Sequence, residues 1–539
     1  MDKTVNNQYV IITLIIISVV GLFFRLPGLF LNDLWMDEGL TLVISHWPVW
    51  DMLLLPTDPT PFLYYYLHQI FMSADMPVYM IRLISLLCGI ASLLLMYKWG
   101  SLCFNQKTGL IAMFLLAIST IHIQYSVEAR AYSLMFMLTL LMSVTLVAYL
   151  SLLKKEEDKR KRYLILLCYG AANVLSFYTH ILAAIWICFC NLILLMGVLR
   201  SVSPCRYWKE ILLLFILMAV LALPGLYRIY MQIGMGDSFQ WLEQPDLKGF
   251  IFSQADIYLP MGLWDNSYIA GKSMQGKVIL ALMAIIGILL VFGGFQKKSQ
   301  MIQTVRETPL ETKFLILSYV LVPFLVWVIG FVYRPLLIDR SILFCLPGML
   351  LLVSLLLSKY EKTSLMIILA AILMLYIFSL FAQHVYSKRM DWTSTTEFLE
   401  KNVKSGDVIL VHPDYLFPAF RHALNSEVNA PVISYKGKTG FLQIEPQFGS
   451  DPNWDRVFFE KKLFPGFYSL AEQKDVTEGY PIYHFKDHFA GQIFEVNACN
   501  ADVKKTFYER ADFVTTPKTR IWEDQSKCIF ISSYRLVDR

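Results

Sequence analysis

Charge is what this chain has least of. Only 17% of its 539 residues are Asp, Glu, Lys or Arg, against 56% hydrophobic residues and a mean hydropathy of +0.51. Soluble domains carry about a quarter charged residues, which excludes an ordinary water-soluble enzyme. A disordered chain needs low hydrophobicity and is excluded as well. The net charge of +5 is small for this length, so there is no case for nucleic acid as a partner. No P-loop or Rossmann glycine pattern is present to hold a nucleotide or nucleotide sugar. No Cys/His spacing resembles a zinc site. The first apolar run lacks a small-residue cleavage site and is long for a signal peptide, so it reads as retained.

What is abundant is long apolar sequence, and it is unevenly placed. A membrane core of about 30 Å needs about 20 apolar residues of helix. Eleven candidate spans occur, at 9–31, 77–97, 108–122, 131–153, 163–178, 181–199, 210–230, 277–295, 314–333, 341–358 and 363–383, with 108–122 short and 61–73 a further partial helix. After residue 384 the composition turns mixed and polar. The expected organisation is a polytopic α-helical membrane domain, 1–384, followed by a soluble α/β domain, 385–539.

Basic residues set the orientation. The loop KKEEDKRKR (154–162) and the Lys/Arg-bearing loops near 98–107, 200–209, 297–313 and 359–362 alternate along the chain with poorer segments, and 31–76 contains no Lys or Arg at all. The basic loops, and with them the N-terminus, are expected to be cytoplasmic. Segments 31–76, 124–130 and 231–276 and the C-terminal domain are expected to be extracytoplasmic. Seven of nine cysteines fall in or beside spans, where a buried thiol is ordinary. Cys499 and Cys528 lie in the C-terminal domain. They are either two thiols or a disulfide closing a loop of about 30 residues, worth about 3 kcal/mol.

Ionisable residues at the edge of an apolar layer are costly unless paired or wet. LNDLWMDEGL carries Asp33, Asp37 and Glu38 just after the first span, and an interfacial helix follows. TDPTPFLYYYL puts Asp58 before two prolines and an aromatic run that includes Tyr64. IQYSVEARAYSL holds Tyr125, Glu128, Arg130 and Tyr132. Arg334 and Asp339–Arg340 lie between two late spans, Arg25 and Arg82 lie in or near spans, and His180 sits in the turn FYTHI. Each has a plain structural alternative. Asp37–Glu38 suits a solvated loop, Asp58 suits a helix start, Glu128 can pair with Arg130, and a turn histidine is commonly a hydrogen-bonded structural residue. Together they map to one face. There a carboxylate can act as general base on a hydroxyl, and arginine forks match phosphate oxygens.

These strings, in this order, resemble the GT-C glycosyltransferases of the protein O-mannosyltransferase and aminoarabinose transferase clan. The matching segments are LWMDEGL (34–40), DPTPFLYYYL (58–67), RLIS (82–85), YSVEARAYSL (125–134), YTHI (178–181), DRSILFCLPGMLLL (339–352) and the DW…GDVIL stretch within 386–410. The resemblance implies a GT-C fold and transfer of a sugar, usually with inversion, from a polyprenyl-phosphate-linked donor to a hydroxyl acceptor on the extracytoplasmic face of the cell membrane. It implies Asp37 as general base or acceptor-positioning acid, with Glu38 beside it, and Asp58 as second acid. Arg130 and Arg340 become the donor-phosphate ligands, and Tyr64, Glu128, Tyr132 and His180 line the site. Thr60–Pro61–Phe62 departs from the prolines common in relatives and removes one phosphate or metal contact. No cofactor is required by the pattern, and a divalent metal is left open. The acceptor can be lipid, polysaccharide or protein, and membrane lipids are the surrounding partners.

A transporter or flippase of a lipid-linked saccharide is the alternative. It would favour ionisable residues near the midplane and internal repeats, whereas these acids sit at one edge. A non-catalytic receptor would leave the acid and arginine set without a purpose. In the C-terminal domain, helix 391–403, a turn and strand within 405–413 and helix 413–424 suggest an α/β start, with a role in acceptor binding or regulation.

Overall fold

The computed structural model describes residues 7–31, 33–54, 60–71, 76–153, 159–233, 244–258, 287–288, 294–332, 335–386, 391–404, 407–412, 416–424, 432–436, 440–444, 493–498, 514–515, 519–524, 529–534 and 536–537. Its first part is helical: α1 Asn7–Phe30, α2 Met36–Ser45, α3 Val49–Leu54, α4 Leu63–Phe71, α5 Val78–Ile81, α6 Leu83–Cys103, α7 Gln106–Ile118, α8 Thr120–Ser126, α9 Tyr132–Leu153, α10 Lys159–Phe177, α11 Ala183–Leu199, α12 Pro204–Ile233 and α13 Leu247–Tyr258. After these come α14 Lys298–Glu307, α15 Leu310–Val332, α16 Asp339–Ile342, a 3₁₀ turn, α17 Leu346–Ser358 and α18 Lys362–Tyr386.

Among the described residues, six helices are long and apolar enough to cross a membrane, or seven if the bent pair α7–α8 is one span, and Ala183–Leu199 and Lys362–Ile377 are shorter apolar helices. The chain is a multi-pass membrane protein. Eleven spans were expected; the one at 277–295 lies mostly outside the described residues. The shortness of 108–122 has a physical cause. The helix breaks at Ser119 and bends by 65° into α8. Arg25 caps that break, with its guanidinium donating to the carbonyls of Gly21 and Ala117 and meeting His122 Nδ1 at 2.7 Å. Carbonyls freed at a helix end need such a donor, which explains a fully buried arginine in an otherwise apolar helix.

α9 is the central helix, 78% buried along its apolar stretch, while α12 is only 17% buried. α9 packs against α6 and α10, and α7 packs against α6 and α17. Lipid is as apolar as leucine, so helices associate through close packing and hydrogen bonds. The α6–α7 crossing shows this. A Cβ on Gly100 would lie 2.8 Å from Gly109 Cα, so only glycine permits the approach.

The second part begins with α19 Trp392–Asn402, β1 Val408–His412 and α20 Phe417–Ala423. Strands β2 Val432–Lys436, β3 Gly440–Ile444, β4 Ile493–Ala498, β5 Val514–Thr515, β6 Thr519–Asp524, β7 Ile529–Tyr534 and β8 Leu536–Val537 follow. Six of them form one sheet in the order β3-β2-β1-β4-β7-β6, with β1 parallel to β2 and β4 and the outer pairs antiparallel. Asp391 caps α19 by accepting from the Ser394 amide, a standard N-cap. One buried cluster joins the two parts: Leu34, Leu42 and Val43 of the first pack with Trp392, Ile409, Ala419 and Phe420 of the second. Cys499 and Cys528 lie outside the described residues, so the disulfide expectation does too.

Gly100→Val should cost about 1–3 kcal/mol through overpacking and lower the thermal inactivation midpoint of the detergent-solubilised protein. Leu87→Ala, on an outward-facing residue 65% exposed, should stay within about 0.5 kcal/mol.

Candidate functional site at the end of the helix bundle

The site is built on the first turn of α2. Trp35 is its N-cap, Asp37 and Glu38 are in its first turn, and acids there are favoured by the helix dipole. Glu38 reaches back to the Trp35 amide at 2.8 Å, as the third helical residue does in a capping box. Successive helical residues diverge by about 100°, so fixing Glu38 sends Asp37 to a different face.

Glu38 is held by more than its cap. Arg82 donates Nε to Oε1 at 2.7 Å and Nη2 to Oε2 at 2.6 Å, and the Ala129 amide donates to Oε1 at 2.7 Å. Arg82 also reaches the carbonyls of Gly28 and Asp33. Both side chains are almost completely buried, 3% and 1% exposed. Burial alone would raise the Glu38 pKa. The Arg82 charge and hydrogen bonds, with the two backbone amides, outweigh burial and hold it below the ordinary carboxylate value. Four donors on one buried carboxylate leave it little capacity to take a proton from substrate. These four donors clamp Glu38 between the start of α2, Arg82 and the Ala129 amide.

Asp37 differs. Its Oδ2 accepts from Arg340 Nη1 at 2.8 Å, and the two side chains remain 19% and 20% exposed. Arg130 Nη1 points at the Asp37 carbonyl at 3.4 Å and donates to the Tyr65 hydroxyl at 3.1 Å, while Nη2 reaches Thr60 Oγ1 at 3.4 Å. The Arg340 guanidinium lies 5.9 Å from the centre of the Tyr132 ring, within cation–π range. Tyr132 packs against Tyr125 at 5.3 Å and His180 at 6.0 Å. Glu128 is buried within electrostatic reach of Arg340 and Tyr132. His180 Nδ1 accepts from the Leu182 amide, which leaves the proton of a neutral ring on Nε2.

The structure therefore brings together Asp37, Glu128, Arg130, Tyr132, His180 and Arg340, drawn from four separate stretches of chain. Tyr64 stands one layer back, fully buried with its hydroxyl on Ser85 Oγ at 2.8 Å. Its neighbour Tyr65 faces Arg130, a difference of one residue that an aromatic run YYY cannot reveal. Sequence reasoning also missed Arg228, which reaches from α12 to the Thr60 carbonyl at 3.1 Å. Asp58 and Arg334 lie outside the described residues. Among the described residues no group of three or more His, Cys, Asp or Glu could hold a metal ion.

Residues 59–227 match the family described as dolichyl-phosphate-mannose-protein mannosyltransferase. The crystal structure of apo ArnT from Cupriavidus metallidurans superposes with a TM-score of 0.57 at 11% identity, covering 98% of each chain. The same protein bound to undecaprenyl phosphate gives 0.55 at 10% identity, again covering 98% of each chain. The fold is that of the GT-C membrane glycosyltransferases. No curated protein matches the chain.

Glu38→Gln should leave Arg82 buried without its counter-charge, a loss of about 3–5 kcal/mol, seen as a collapse in yield of folded, monodisperse protein. A carboxyl with a depressed folded pKa stabilises fully above its unfolded value, about 4.3 for Glu, and that contribution fades as pH falls towards the folded value. The stability gap between wild type and Glu38→Gln should be full at pH 7 and shrink below about pH 4, as followed by thermal inactivation across pH.

Proposed function

We propose that the chain is an inverting glycosyltransferase that moves a hexosyl or pentosyl group from a polyprenyl-phosphate-linked donor to a hydroxyl acceptor on the extracytoplasmic face of the membrane. The N-terminus is then cytoplasmic and the domain 385–539 extracytoplasmic. The observation that carries this reading is the half-buried Asp37–Arg340 pair with Arg130 beside it, at one end of an apolar helix bundle.

Asp37 takes the acceptor hydroxyl proton. The acceptor oxygen forms a bond to the anomeric carbon on the side opposite the phosphate, and the anomeric carbon–oxygen bond breaks with its electron pair leaving on the phosphate. The products are the glycosylated acceptor and polyprenyl phosphate, the class of molecule named in one of the matched ArnT structures. The bound phosphodiester carries one negative charge and the departing monoester approaches two. Arg130 and Arg340 therefore gain attraction as the bond breaks, which is where binding accelerates chemistry. In the free protein Arg340 is spent on Asp37. A donor phosphate competing for that guanidinium loosens its hold on the carboxylate as the donor arrives, freeing the base for the acceptor. Tyr132 and His180 offer ring faces beside the reacting centre, and Asp58 is the candidate second acid. A donor delivered by the bilayer suits a site at the end of apolar helices, whose grooves would take the polyprenyl chain. The acceptor is lipid, cell-envelope polysaccharide or protein. Mass spectrometry of lipids and polymers from a deletion strain would choose among them.

In proteoliposomes supplied with a polyprenyl-phosphate sugar, Asp37→Asn should lower transfer by about 10²–10⁴ while polyprenyl-phosphate binding persists. Arg340→Gln and Arg130→Gln should each cost about 10²-fold or more. Transfer by Asp37→Asn near the wild-type rate would remove Asp37 as the base. Saccharide movement across sealed vesicles with no covalent product would favour a flippase instead.

A further inference from the structure

The first turn of α2 is held from two sides. On the bundle side stands the Glu38–Arg82 clamp. On the other side stands the C-terminal part of the chain. Asp33 accepts from the Thr393 amide with Oδ2 and from the Thr393 hydroxyl with Oδ1, both at 2.8 Å and across 360 residues of sequence. The Thr393 amide is one of the four donors that the first turn of a helix leaves unmatched, so Asp33 serves as a second cap for α19, supplied from another part of the chain. A charged acceptor at a helix N-terminus is a strong form of that bond.

Adjacent contacts run along the same seam. The fully buried Trp392 donates its indole N–H to the Leu34 carbonyl at 2.9 Å. A Cβ on Gly39 would meet the Ala419 backbone nitrogen at 2.7 Å and Pro418 Cβ at 3.1 Å, so α2 and α20 approach as closely as backbones allow. Two residues after Asp33 the chain reaches the N-cap of α2, and four residues after it stands Asp37. The Asp33 carbonyl is also a ligand of Arg82, so the two clamps meet at this residue.

We propose that Asp33 is a positioning residue for Asp37, acting through Thr393. This deepens the glycosyltransferase reading and rests on it for the catalytic readout. Substrate does not need to touch Asp33. Its carboxylate fixes the strand of chain that aims the first turn of α2, and with it the Asp37 carboxylate.

The test compares Asp33→Ala, Thr393→Val and the double variant in the full-length protein. Asp33→Ala should lower kcat about tenfold, leaving KM for the polyprenyl-phosphate sugar within twofold and the thermal inactivation midpoint within a few degrees. Thr393→Val keeps the amide donor and loses the hydroxyl, so its effect should be smaller. The double variant should be no worse than Asp33→Ala, because both act through one contact. Asp33→Glu, which keeps the charge, should recover part of the rate. Hydrogen exchange gives a readout that needs no activity: amides 36–39 should exchange at least tenfold faster in Asp33→Ala. Wild-type kcat in Asp33→Ala alongside an inactive Asp37→Asn would overturn the positioning role and leave the function standing. A wild-type protein without transfer would overturn the function, and exchange at 36–39 would still decide the contact. Unchanged exchange there, or fully additive losses, would sink the proposal.

Discussion

One buried ion pair organises the site. Glu38 and Arg82 meet with both carboxylate oxygens engaged, at a place where neither group could remain charged without the other. The pair joins α2 to the start of α6, and its side bonds take in the Gly28 and Asp33 carbonyls and the Ala129 amide. Those atoms belong to the end of the first span, the linker before α2 and the turn before α9. A single polar knot therefore sets the relative positions of the segments that supply the candidate site, apart from those carrying His180 and Arg340. The neighbouring acid then falls on another side of the helix, at 19% exposure in place of 1%. The contrast between a sequestered carboxylate and a reachable one follows from helical geometry once the first is pinned.

This arrangement suits a protein with two solvents. Along the bundle the outward surface is apolar and faces lipid, and association depends on close packing and satisfied polar groups. Gly100 against Gly109, Arg25 on the broken end of α7 and Ser143 hydrogen-bonded to Tyr319 at 2.8 Å are the devices in the interior. At the end of the bundle, where water reaches, carboxylates and guanidiniums replace them. A charged donor headgroup with an apolar tail needs the same succession of environments.

The sequence made some of this legible. Apolar runs located most of the helices, and carboxylates and arginines out of place in such a composition marked Asp37, Glu128, Arg130, Tyr132, His180 and Arg340, which the fold brings together. What pattern reasoning could not supply is pairing across long separations. Nothing in LWMDEGL and RLIS says that Glu38 will be consumed by Arg82 while Asp37 is not, since the two acids are chemically alike and differ only in direction. Tyr64 and Tyr65 pose the same problem one residue apart. Arg25 stood out as an intramembrane charge, but its partner His122 lies 97 residues away. Arg228 was absorbed into an apolar span, and no local signal separates it from an arginine that merely flanks one. Asp58 and the Cys499–Cys528 pair lie outside the described residues.

The separations themselves carry an argument about assembly. Asp37 meets Arg340 across 303 residues and Leu34 meets Trp392 across 358, whereas Glu38 meets Arg82 across 44. For a flexible chain, closing the longer loops costs only about 1–2 kcal/mol more than closing the shorter one, because the cost grows with the logarithm of length. Insertion of the intervening helices into a membrane reduces that difference further by confining their ends to two surfaces. The long-range contacts therefore cost little extra chain entropy, and they rest on the local clamp, which fixes the first turn of α2 that carries Asp37 and the linker that carries Asp33. The finished site is the joint product of segments from nearly the whole chain.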